Sequence, residues 1–78
     1  MKREIIRAGD TQYFADTLKN LRTSRQPLLS QRRLANALGV SRETYAKYET
    51  GTRLPPAWFV AKVAAYFGVS ADELLNKR

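Results

Sequence analysis

The sequence predicts an all-α fold of five short helices, and three observations lead there. Serines at 30, 41 and 70 each follow an apolar residue (Leu29, Val40, Val69) and precede another by four positions (Leu34, Tyr45, Leu74). This is a side-chain cap inside a hydrophobic staple, the local chemistry that starts a helix. Glycines at 39 and 68 and a proline at 27 stop helical patterns where a positive φ or a missing N–H is needed. No segment shows the period-two alternation of a half-buried strand.

Seventy-eight residues suit one domain near the lower limit for a single hydrophobic core. The chain has no cysteine and no histidine, so disulfides, thiolate metal sites, the usual general base and the usual nitrogen ligand are all missing. No metal, cofactor or enzymatic activity is therefore expected. Asp72 and Glu73 read as acids of a first helical turn. The net charge of +7 and a pI near 10.3 favour a polyanionic partner, because each cation that neutralises a phosphate releases a condensed counterion. Nucleic acid and an anionic membrane both qualify on charge. The opening MKREIIRAGD lacks the apolar run of a signal peptide and nothing later is long enough to span a bilayer, so a cytoplasmic protein without a membrane partner is expected.

Residues 1–9 are expected to form a loosely held arm, unless Ile5 and Ile6 pack on an apolar surface. The domain proper is then 10–78. From Asp10 or Thr11, either able to cap, Phe14, Leu18 and Leu21 fall on one helical face. This first helix should end near Ser24 or Arg25, because Pro27 pushes its predecessor out of the helical region. Ser30 then caps a second helix carrying Leu34, Ala35 and Leu38. Its first turn holds Arg32 and Arg33, cations at the positive end of the helix dipole. Such a placement costs roughly a few tenths of a kcal/mol unless an anion sits nearby. A phosphate would supply that anion; solvated arginines are the plainer reading.

Gly39 ends the second helix, and Ser41 caps a third that turns Tyr45 and Tyr48 inward and Arg42, Glu43, Ala46 and Lys47 outward. Thr52–Pro56 is an extended link, and Pro56 or Ala57 begins a fourth helix running to about Phe67. In AWFVAKVAAYF only Lys62 is charged, so one buried face cannot hide the whole helix. Ala57, Val60, Ala61, Ala64 and Phe67 fit the inward positions. Trp58, Phe59 and Tyr66 are left as an outward patch, either a dimer or partner interface or a surface covered by Ile5, Ile6 or the carboxyl-terminal residues. Ser70 and Glu73 make a capping box for a fifth helix to about Asn76, with Leu74 and Leu75 docking back.

The stretch QRRLANALGVSRETYAKYET, residues 31–50, thus forms two helices around a tight turn. With Gln31, Ala35, Gly39, Ser41, Tyr45, Tyr48 and the Glu49-Thr50-Gly51 exit at these spacings, it resembles the helix-turn-helix of the phage repressor and Cro-like (Xre-type) DNA-binding family. The resemblance runs from about Leu18 to Leu75. It implies a five-helix lambda-repressor-like DNA-binding domain, here with a short N-terminal extension. Two features depart from the family pattern: a longer link from Arg25 to Leu29, and aromatic rather than polar residues outward on the fourth helix.

If the resemblance holds, the helix Arg42–Glu49 enters the major groove, the groove wide enough for a helix and able to distinguish all four base pairs. Arg42, Glu43, Ala46 and Lys47 are then the base readers. Arg42 suits guanine, Glu43 a cytosine amino group, Ala46 a thymine methyl, and Lys47 guanine or phosphate. Without DNA, Glu43 and Lys47 are spaced to pair with each other. Gln31, Arg32, Arg33, Ser41, Thr50 and Arg53 are the phosphate candidates. Arg22 matches a family arginine that pairs with the glutamate closing the reader helix, here Glu49, and is expected to form a partly buried ion pair. The implied function is a sequence-specific transcriptional regulator, a repressor, binding double-stranded DNA as a homodimer. The reading from another class is a protein-interaction module, antitoxin-like or adaptor, anchored on the fourth-helix aromatics.

Overall fold

The computed structural model describes residues 8–24 and 28–75. Five helices follow in order: α1 Ala8–Thr23, α2 Gln31–Leu38, α3 Arg42–Thr50, α4 Ala57–Phe67 and α5 Ala71–Leu75. Among the described residues there is no strand. The first helix starts earlier than expected, so Ala8 and Gly9 belong to α1 rather than to an arm. Residues 1–7, with Ile5 and Ile6, lie outside the described residues, as do Arg25–Pro27 of the first link and Asn76.

The serine caps form as the sequence predicts. Ser30 Oγ accepts from Arg33 N at 3.1 Å, Ser41 Oγ from Thr44 N at 3.1 Å, and Ser70 Oγ from Glu73 N at 3.1 Å. Glu73 returns the bond by accepting from Ser70 N at 3.2 Å, completing the capping box. Leu29, Val40 and Val69, the residues before each cap, pack against the core. At the end of α2, Gly39 adopts φ 80° and its N–H reaches the Ala35 and Asn36 carbonyls, while Val40 N donates to Ala35 O at 3.0 Å. That is a Schellman ending, and it turns the chain sharply enough for α3 to begin three residues later.

α1 packs on α3 and α5, α2 on α3 and α4, and α4 on α5. The centre of this arrangement is Phe59. Its ring meets Phe14 and Tyr45 edge-on, with centroids 6.4 Å apart in each case, and Tyr48 at 4.4 Å. Leu18, Leu34, Leu38, Val63 and Leu74 close the core around it.

Phe59 therefore corrects the sequence expectation, which put it outward with Trp58 and Tyr66. Ala57 and Ala61, expected inside, are exposed, and Phe59 and Val63 take their place. The helix is rotated by a fraction of a turn because burying an aromatic ring removes far more apolar surface from water than burying a methyl. Pro56 is the N-cap of this helix and makes no side-chain cap bond. Trp58 and Tyr66 do lie outside, 51% and 46% exposed.

Candidate nucleic-acid interface

The core side of α3 is held more firmly than its hydrophobic pattern alone requires. Glu49, near its last turn, is buried, and its carboxylate gathers bonds from three helices. Arg22 of α1 donates Nε to Oε2 at 2.8 Å and Nη2 to Oε1 at 3.1 Å. Gln31, the first residue of α2, donates Nε2 to Oε1 at 2.7 Å, and the Tyr45 hydroxyl, one turn back on α3, donates to Oε2 at 2.7 Å. Arg22 spends a further N–H, on Nη1, at the Leu29 carbonyl, 2.9 Å away, so the loop entering α2 is tied to the same group. With side-chain exposures of 13% and 4%, Arg22 and Glu49 form a fork-to-carboxylate pair shielded from water.

The electrostatics follow from this geometry. Burial pushes the Glu49 carboxyl up, but the bonds from Arg22, Tyr45 and Gln31 outweigh it and hold the group below its ordinary value. For Tyr45, burial and the bond to Glu49 act together and drive the phenol well above its ordinary range. The bond to Glu49 raises Arg22 against the opposing effect of burial. The Glu49 carboxylate thus favours a charged Arg22 and a neutral Tyr45, although the guanidinium itself acts against the neutral phenol.

The opposite side of α3 is free. Arg42, Glu43 and Lys47 are exposed and Ala46 is half-buried. At about 3.6 residues per turn these four positions fall within one arc of the helix. Glu43 and Lys47 are not joined in the ion pair that their spacing allows. Arg32 and Arg33 are exposed at the amino end of α2, and Arg53 is exposed beyond the carboxyl end of α3. The Gln31–Glu49 bond brings these two ends together, so the cations belong to the segments that meet at the carboxyl end of α3.

Three of the phosphate candidates have internal duties. Gln31 gives one amide hydrogen to Glu49 and retains the other. The Ser41 hydroxyl donates to Thr44 Oγ1 at 3.0 Å while accepting from Thr44 N, so its proton is committed to the cap. The Thr50 hydroxyl turns back to Lys47 O at 3.2 Å and lies 3.1 Å from that of Thr52.

Besides the Gln31–Glu49 bond, two supports escaped the sequence. One is the Tyr45 hydroxyl; its i, i+4 spacing to Glu49 was a usable signal. The other is Lys62, which donates to the Leu38 carbonyl at 3.3 Å and belongs to a different helix, so no local pattern marks it.

A short helix, a glycine turn and a second helix whose outer arc is polar and unobstructed, carried on three further helices, define a helix-turn-helix protein of the repressor type. A profile of the helix-turn-helix domain family matches residues 14–76. The chain belongs to this family, among the phage repressor and Cro-like (Xre-type) proteins. It is 38% identical over 63 residues to the cryptic phage CTXphi transcriptional repressor RstR of Vibrio cholerae, an alignment covering 81% of this chain and 55% of that protein. It is 42% identical over 63 residues to the SPbeta prophage-derived HTH-type transcriptional regulator YonR of Bacillus subtilis (strain 168), covering 81% of this chain and 56% of the relative. The chain thus spans about half the length of these two relatives. The fold matches the solution structure of the SOS-response transcriptional repressor LexA from Eubacterium rectale with a TM-score of 0.82 at 20% identity, covering all of this chain and 77% of the other.

Proposed function

We propose that residues 10–78 form the DNA-binding domain of a sequence-specific transcriptional regulator that represses by occupying its operator, with α3 in the major groove. The observation that carries this reading is the asymmetry of α3. Its inner side is fixed to α1 and α2 through Glu49, and its outer arc presents Arg42, Glu43 and Lys47 without internal partners. Preorganised donors and acceptors on a rigid rod are what base-edge recognition needs. Arg42 reads guanine, Glu43 accepts from a cytosine amino group, Ala46 meets a thymine methyl, and Lys47 donates to guanine or phosphate. Arg32, Arg33 and Arg53, from the two segments that meet at the carboxyl end of α3, hold the backbone, joined by the second amide hydrogen of Gln31.

One reader covers few base pairs, so a two-fold dimer with readers about 34 to 36 Å apart completes the recognition unit. Such a protein works in the cytoplasm, where its DNA is. The adaptor reading is weaker than the sequence suggested, because Phe59 lies in the core and only Trp58 and Tyr66 remain as anchors.

Selection of binding sites from a random duplex pool tests the proposal. A palindromic consensus with half-sites one helical turn apart is expected. Recovery of no preferred sequence, with affinity insensitive to salt, overturns it.

A further inference from the structure

The turn between α2 and α3 has a support that the function above does not use. The Lys62 ammonium, from α4, lies 3.3 Å from the Leu38 carbonyl, one of the last carbonyls of α2 and without a partner within its own helix. A Cβ added to Gly39 would come within 3.2 Å of the same nitrogen. The chain then needs only Val40 and Ser41 before α3 opens with Arg42. On its other side the ammonium sits 5.8 Å from the centroid of the Trp58 ring, within range of a cation–π attraction. A cation at a helix carboxyl terminus is favoured by the dipole, so the contact is electrostatically sound as well as geometrically close.

We infer that Lys62 is a positioning residue for DNA reading: held by Trp58 and bound to Leu38 O, it fixes the Gly39 turn and through it the angle at which α3 offers Arg42. This rests on the proposal that α3 reads bases. Glu49 secures the carboxyl end of α3, and Lys62 secures the approach to its amino end. The two anchors lie at opposite ends of one short rod, so loosening either lets the rod pivot about the other. Trp58 then has a role within the chain, as the platform for the cation that steadies the turn.

The test compares the full chain with Lys62→Met, which keeps the apolar stem over Trp58 but removes the donor and charge, and with Lys62→Arg, which restores both. Affinity is measured for the selected site and for the same site with the Arg42-contacted base pair replaced, across a salt series, at a temperature where all proteins are folded. Lys62→Met should narrow the ratio between the two sites by about twofold to thirtyfold, the range in which residues touching neither partner modulate a coupled site. The salt slope should stay unchanged, and Lys62→Arg should restore the ratio. Without DNA, Lys62→Met should shift the backbone amide resonances of Gly39 to Arg42 and the emission of Trp58, the one tryptophan in the sequence.

Equal weakening on both sites with a salt slope shallower by about 0.9 would make Lys62 a phosphate contact and overturn the inference. A lower melting temperature with an unchanged ratio and unmoved Gly39 to Arg42 amides would reduce Lys62 to a stabilising contact and also overturn it. A wild-type protein without sequence preference would instead sink the base-reading proposal, while the amide shifts would still decide whether Lys62 sets the turn.

Discussion

Gln31 Nε2 and Glu49 Oε1 stand 2.7 Å apart, so the first residue of α2 is tied to the last turn of α3. That oxygen also accepts from Arg22, which makes the ends of the helix-turn-helix and the body of the domain parts of one network. Removing Arg22 from this network leaves the buried Glu49 without its counter-charge.

Arg22→Met is accordingly expected to lower unfolding stability by about 3 to 5 kcal/mol, since it strands a carboxylate only 4% exposed. Urea unfolding followed by circular dichroism measures it. A loss below about 1 kcal/mol, the usual value of a solvated pair, would mean that the carboxylate is not shielded.

The network also sets a pH window. Glu49 is held below its ordinary value of 4.5, so its contribution is present above about pH 4.5 and is lost as pH falls through the lower folded value. Tyr45 is raised above 10.0, so its contribution is full below pH 10 and declines as pH rises past it. Stability should plateau between these limits. On the acid side the wild type should fall more steeply than Glu49→Gln, by up to about 1.4 kcal/mol per pH unit for the one proton involved. Parallel acid limbs for the two proteins would contradict this.

Core and surface aromatics of α4 should separate cleanly. Phe59→Ala should cost about 3 to 5 kcal/mol, because three aromatic rings lose their common neighbour. Trp58→Ala should cost clearly less, being half exposed and touching Phe59 only edge-on. Comparable losses in thermal unfolding would show that Trp58 is covered in solution.

Gly39 and Gly68, two of the three positive-φ glycines that end helices, make a matched pair. Gly68, with φ 71° and open space where a Cβ would go, should lose about 1 kcal/mol on change to alanine, from backbone strain alone. Gly39→Ala should lose more, because the new methyl also meets the Lys62 ammonium. Equal melting temperatures for the two variants would mean that Lys62 moves aside at no cost.

On DNA, Arg42→Ala and Arg53→Ala should differ in kind. The first should relax preference at one base pair by about 1 to 3 kcal/mol, and the second should weaken all sequences alike and lower the salt slope by about 0.9. Competition titrations with substituted duplexes distinguish the two patterns. If Arg42→Ala weakens every duplex equally, Arg42 is not a base reader.

Much of this architecture was legible because it is written locally. The Ser30, Ser41 and Ser70 caps, the Gly39 turn and the inward Tyr45 and Tyr48 each depend on residues within four positions of one another. The Arg22–Glu49 pair spans 27 residues and was reached through the family resemblance. The phase of α4 was not legible, since a run of alanines and aromatics has no polar stripe to mark the outside, and the choice of Phe59 over Ala61 is made by the volume available between α1 and α3. Lys62 was missed for a similar reason: a lone lysine in an apolar helix reads as a solvent anchor, and the carbonyl it meets becomes visible only when α2 is laid beside α4.

Glu49 spends every bond it makes on the interior, whereas Arg42, Glu43 and Lys47 spend none there. On the proposed reading, recognition and folding therefore fall to separate residues of the same nine-residue helix. A lineage carrying this domain can exchange the letters it reads on DNA, one outward side chain at a time, without renegotiating the structure that displays them.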